Sequence, residues 1–147
     1  MTSSTTISRK AIAEDFKTAM AGKLDTDLIN AAARSLLTTE TAYPATGSVA
    51  SFIFYLQFQV TIKGKDGLTF DGKAGGVSTP GGGALFGDVY TDDLPRLYRE
   101  TSRFEFQGTP VYLSILFFND KSNLLGHFQA GAVSTVTGIG GGSGNWH

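Results

Sequence analysis

A predominantly β domain, barrel or sandwich, behind a short helical segment is the fold class that the sequence predicts. Three observations carry it. The spacing of apolar residues changes from about 3.6 to 2 at Ser48. Short apolar runs separated by turn signals then continue for about 100 residues, enough for around eight strands. Glycine is concentrated the same way, 17 of the 19 lying between Gly64 and Gly144.

The elements follow in order. Residues 7–38 read as helical, with Ser8 as a plausible N-cap and Ile12, Phe16 and Met20 as one apolar stripe. Gly22 is a natural stop, because glycine tolerates the left-handed conformation that ends a helix. Asp25 or Asp27 can open a second helix with Leu28, Ala32 and Leu36 on one face and Ile29, Ala33 and Leu37 beside it. Both stripes are narrow, so the helices need something to pack on. They are expected to dock on the β domain, over an open end or an exposed strand edge. Residues 38–47, with Pro44 and Gly47, read by composition as a linker. The expected division is therefore 1–47, helical segment and linker, and 48–147, β domain.

Phe52, Phe54, Leu56, Phe58, Val60 and Ile62 alternate with smaller or more polar residues, the clearest strand signal in the chain. From Ser48 to Ile62 a straight strand would stretch roughly 50 Å, so a bend or a break in two is expected. "KGKDG" (63–67) reads as a turn, and Leu68, Phe70, Gly72 and Ala74 as a second strand. "GGVSTPGGG" (75–83) reads as a connection before a short strand "ALFGDVY". In "TDDLPRLYRET" (91–101) Asp92 or Asp93 can cap one or two helical turns, with Pro95 in the first turn. "SRFEFQ", "VYLSILFF" and "LLGHFQAGAVSTVTGI" complete the strands. Small residues at Gly126, Ala130, Gly131 and Ala132 suit strong curvature.

Composition excludes more functions than it suggests. Twelve basic and thirteen acidic residues leave a net charge of −1, so nothing marks a nucleic-acid partner. With no cysteine there are no disulfides, thiolate metal sites or cysteine nucleophiles. The glycine run "GIGGGSGNWH" (138–147) fails the G-x-G-x-x-G spacing, because Ser143 stands where the third glycine belongs. It also lacks the Lys-Ser/Thr of a phosphate loop, as does "TPGGGALFG" (79–87), so both read as structural. His127 and His147 have no metal-ligand spacing, and no serine sits in G-x-S-x-G. Asp88, Asp92 and Asp93 could hold a cation, but capping explains two of them. Arg96, Arg99 and Arg103 beside Tyr98 could meet an anionic headgroup, although Asp92, Asp93, Glu100 and Glu105 dilute them. The eleven phenylalanines are core material first, with room for an exposed apolar patch. No catalytic, metal or binding residue is assigned, and neither an enzyme nor a cofactor is expected.

Six segments, "FDGKAGG", "PGGGALFG", "YTDDLPRLYRET", "YLSILFF", "LLGHFQAGAVS" and "GGGSGNWH", come in an order that resembles the virulence-associated protein (Vap) family of Rhodococcus. The resemblance runs from near Phe52 to the end. It implies a compact, closed, eight-stranded antiparallel Greek-key β-barrel. It also implies a secreted, non-enzymatic protein acting at host phagosomal or lysosomal membranes or on a host protein. A barrel holding a small apolar ligand is the alternative. The resemblance transfers no site residue; a monomer is expected. The first residues, "MTSSTTISRKAIAEDF", lack the apolar h-region of a secretory signal. Family N-termini are variable and poorly structured, whereas residues 7–38 here read as helical.

Overall fold

The computed structural model describes residues 9–39, 41–65, 67–131 and 136–147. Ser8 and Ala132, given roles above, lie outside them. Helix α1 (Arg9–Met20) buries Ile12, Ala13, Phe16 and Met20, the expected stripe. It stops at Gly22, whose φ of +81° is the left-handed value that glycine adopts without a Cβ penalty. Helix α2 (Thr26–Thr38) buries Ile29, Ala32, Ala33 and Leu36, while Leu37 is exposed. Asp25 occupies its N-cap position without a side-chain hydrogen bond to the helix.

Eight strands follow: β1 (Ala42–Ser51), β2 (Tyr55–Ile62), β3 (Thr69–Ser78), β4 (Gly81–Tyr90), β5 (Arg103–Gly108), β6 (Tyr112–Phe118), β7 (Leu124–Gly131) and β8 (Gly138–Trp146). Helix α3 (Leu94–Glu100) interrupts them. It is capped by Asp93, whose carboxylate accepts the Arg96 amide at 3.1 Å, and Pro95 lies in its first turn. Every neighbouring pair is antiparallel, and the sheet closes in the order β4-β1-β2-β3-β8-β5-β6-β7 and back to β4. That circuit contains 4-1-2-3 and then 8-5-6-7, two successive Greek keys.

Three stretches differ from their sequence reading. Ala42–Gly47, taken with the linker, is strand. It pairs with β2 and β4, and the Pro44 carbonyl accepts the Lys63 amide at 2.9 Å. Proline near a strand start loses only one ladder donor, so two-sided pairing overrides the breaker composition. The glycine-rich connection 75–83 shrinks to Thr79–Pro80, its glycines lying in β3 and β4 for the same reason. Finally, the long strand from Ser48 does break in two, but this moves Phe52 and Phe54 off the buried face. Leu56, Phe58, Val60 and Ile62 still point inward, whereas Phe52 and Phe54 are 62% and 70% exposed at the β1–β2 turn.

The interior is packed with rings. Phe70 meets Phe104, Phe117 and Trp146 with centroids 4.9–5.5 Å apart, and Phe58 meets Phe104 and Phe106 at 5.5 and 4.9 Å. These edge-on and tilted contacts are the favourable geometry for aromatic pairs. Strand β8 needs its glycines to lie against this core. A Cβ at Gly140 would stand 2.8 Å from the Phe106 ring and 3.0 Å from the Gly76 backbone. The helices do dock, but over neither an end nor an edge, since a closed barrel has no free edge. They cover the outer wall. Strand β6 is buried on both faces, with Leu113, Ile115 and Phe117 inward and Tyr112, Leu116 and Phe118 outward beneath α1 and α2.

Candidate functional site

Between the helices and the outer wall lies a buried polar cluster. His127 of β7 has no exposed surface. Its Nδ1 is 2.9 Å from Gln129 Nε2, while its Nε2, Gln129 Oε1 and Ser114 Oγ find no partner among the described residues. Tyr90 stacks on the imidazole at 5.0 Å, and the Arg9 guanidinium lies 4.4 Å from the Tyr90 ring centre. Arg9 is held there by the Thr39 carbonyl, which closes α1 onto the end of α2. Burial, and then the Arg9 charge, push the His127 pKa down to about 3. The ring is therefore a neutral structural group, too weak a base for proton transfer near pH 7.

His127 also borders a concavity of about 180 Å³ with Ser35, Asp92, Asp93 and Arg96. These residue types could form a nucleophile–base relay, yet the relay is not assembled. Nδ1 is taken by Gln129, Nε2 has no partner among the described residues, and Asp93 is taken by the α3 cap. Asp88 stands apart on β4, paired with Pro44 and Gln129. The arginines do not converge either: Arg96 and Arg99 both reach Glu100, at 3.2 and 3.5 Å, while Arg103 begins β5. Asn119, and more weakly the Arg96 pair, hold the Glu100 carboxyl below its ordinary value. His147 bonds Asp71, whose pKa this bond and Gln59 lower. Among the described residues no group of three or more His, Asp or Glu could hold a metal ion.

Neither glycine run is a phosphate loop. Residues 138–146 are β8, paired along most of its length with β3 and β5, and residues 81–87 pair with β1. Strand β8 also floors an open groove of about 740 Å³ between the α1–α2 turn and the wall, edged by Met20, Lys23, Val77, Arg103 and Glu105. Burial raises the Glu105 carboxyl against the opposing pull of Arg103 and Lys23.

Large apolar side chains gather at one end of the barrel. The antiparallel order places the β1–β2, β3–β4 and β5–β6 connections at that end, together with the end of β7 and the start of β8. Phe52, Ile53, Phe54 and Tyr55 are exposed at the first, Val77 beside the second and Val111, at 71%, in the third. The Phe54 amide bonds the Phe52 carbonyl at 3.0 Å around Ile53, whose φ is +79°. That is a γ-turn of the rare, strained hand, here at a β-branched residue. The Phe52 amide donates to the Tyr55 carbonyl at 2.8 Å, and the Ser78 amide donates to the Ile53 carbonyl at 3.0 Å. The tip is thus built to hold its side chains outward. The sequence reading missed it because alternation placed Phe52 and Phe54 in the core.

A family model described as Rhodococcus equi virulence-associated protein matches residues 2–147. The chain belongs to that family. The match takes in the helical segment, beyond the stretch near Phe52 where the resemblance began. Among solved structures the chain is similar to the virulence-associated protein VapD of Rhodococcus equi, with 42% identity and a TM-score of 0.71, covering 73% of this chain and 97% of that one. It is also similar to VapB of the same organism, with 47% identity and a TM-score of 0.68, covering 73% of this chain and 96% of that one. The matched share is about what residues 42–147 make up. No curated protein sequence matches significantly. The likeness carries the Vap barrel fold.

Proposed function

We propose that this Vap protein is a secreted, non-enzymatic effector that acts at a lipid surface of the host, on phagosomal or lysosomal membranes. The observation that carries the reading is a barrel filled by its own side chains that keeps large aromatic residues on the outside. Monomeric proteins rarely expose such groups together unless they meet a partner surface. The polar clusters are taken up by capping, ion pairs and helix docking, which leaves a binding role as the better account of the molecule. A packed interior also speaks against the apolar-ligand barrel, since that function needs an interior cavity. The oligomeric state belongs to the same proposal, with a monomer expected. Purified protein delivered to macrophages should co-localise with endolysosomal membranes and change compartment pH or maturation. A protein that stays in the lumen or cytosol and alters neither would refute the reading.

A further inference from the structure

The barrel is divided by charge along its axis. No Lys, Arg, Asp or Glu occurs in residues 42–62, 74–87, 106–119 or 122–146. These stretches include the β1–β2, β3–β4 and β5–β6 connections, all at the end that exposes Phe52, Ile53, Phe54, Val77 and Val111. Charges of the barrel lie along the wall, at Asp71, Lys73, Asp88, Arg103 and Glu105, and at the opposite end, at Lys63 and Lys65, on α3 and its flanks, and at Asp120 and Lys121, while Lys23 of the α1–α2 turn shares a groove with Val77. Asp15 of α1 reaches the wall at Tyr112, near the uncharged end, where it accepts the Tyr112 hydroxyl at 2.5 Å.

From this division we infer that the uncharged end is a membrane-docking pole, which seats the barrel end-on in a neutral lipid interface with Phe52 and Phe54 inserted. The inference rests on the membrane reading above and names its surface and lipid chemistry. Two features of this tip select lipid as the occupant. It offers the wholly apolar Phe52 and Phe54 for insertion beside Tyr55, an amphipathic ring of the kind that settles at the headgroup level, with the Phe52 and Tyr55 rings stacked at 6.2 Å. It also has no charge with which to recognise an acidic or basic partner, and a charge-free pole loses least on leaving water. The strained Ile53 fits this role. Glycine would relieve the backbone there, yet a large apolar side chain occupies the position.

The test is flotation of the full chain with phosphatidylcholine vesicles, alone and with phosphatidylserine, at low and high salt. The wild-type protein is expected to bind phosphatidylcholine alone, with less than a twofold change from salt or from phosphatidylserine. The variant F52S/F54S, altered only at exposed positions, should keep the wild-type melting temperature and lose roughly a hundredfold in partitioning. F86S, at an equally exposed phenylalanine halfway down β4, should bind as wild type. Binding that needs phosphatidylserine and falls with salt would overturn the docking pole and leave the membrane reading standing. So would F52S/F54S binding as wild type, or F86S losing as much. Self-association abolished by F52S/F54S, without vesicle binding, would assign the tip to a second copy. No binding to any vesicle would overturn the membrane reading itself.

Discussion

His127 shows how a residue's surroundings decide its chemistry. In an unfolded chain it would take a proton near pH 6.5, whereas beneath the helices, with Arg9 close by, its pKa lies near 3. Between those values the unfolded state binds one more proton, so stability falls as pH drops, by at most about 1.4 kcal/mol per unit. Asp71 and Glu100, whose values are lowered, lose their contributions at lower pH, below the ordinary carboxylate values. Glu105, raised by burial, acts in the opposite sense. The slope from pH 6.5 to 5 should therefore belong mainly to His127. Thermal melts across that range should show a decline in the wild type that flattens in His127→Gln; an equal slope in both would refute the assignment. The ring is surrounded by Arg9, Tyr90 and Gln129, and Asp92, Asp93 and Arg96 border the same concavity. None of these neighbours is near it in sequence except Gln129. That is why sequence reading could weigh His127 only as a lone strand residue.

At the scale of elements, the helical pair and strand β6 depend on one another. Ile12, Phe16, Met20, Ile29 and Leu36 bury their faces against Tyr112, Leu116 and Phe118, with Phe16 stacked on Phe118 at 6.3 Å. The helical stripes were plain in the sequence because their spacing is local. What they pack against was not, since β6 reads as a continuous apolar run and only its two neighbouring layers explain it. Phe16→Ala should cost about 3–5 kcal/mol if the helices stay docked, and deleting residues 1–39 should bare the outer face of β6. The deletion is expected to lower the melting temperature and increase binding of an apolar dye. A truncated barrel with unchanged melting and no dye binding would show that the helices contribute nothing to it.

The whole molecule is held shut by its last strand. Strand β8 bridges β3 and β5, so the circuit closes only when Gly138–Trp146 is in place. Trp146 then packs on Phe70, Phe117 and Tyr98 with ring centres 5.3–5.5 Å apart. Truncation after Gly140 should unfold the barrel, and Trp146→Ala should cost about 3–5 kcal/mol in denaturant melts. A melting temperature unchanged by either would return the C-terminal run to the status of a loose tail. The distribution of charge is also a property of the whole. Uncharged stretches are visible along the sequence, but only the alternating antiparallel order shows that they meet at one end.

By itself the sequence determined the local periodicities, the stop at Gly22, a cap at Asp92 or Asp93, the β character after Ser48 and, through six framework segments, the Vap resemblance. Each depends on residues a few positions apart, where stereochemistry and side-chain spacing act directly. The tertiary structure alone decided that residues 42–47 are strand, that the glycines of 75–83 lie in the wall, and that Phe52 and Phe54 face solvent. The reason is common to all three. Pairing on both sides of a strand outweighs weak intrinsic preference, and where a strand turns sets which side chains the closed barrel can hold.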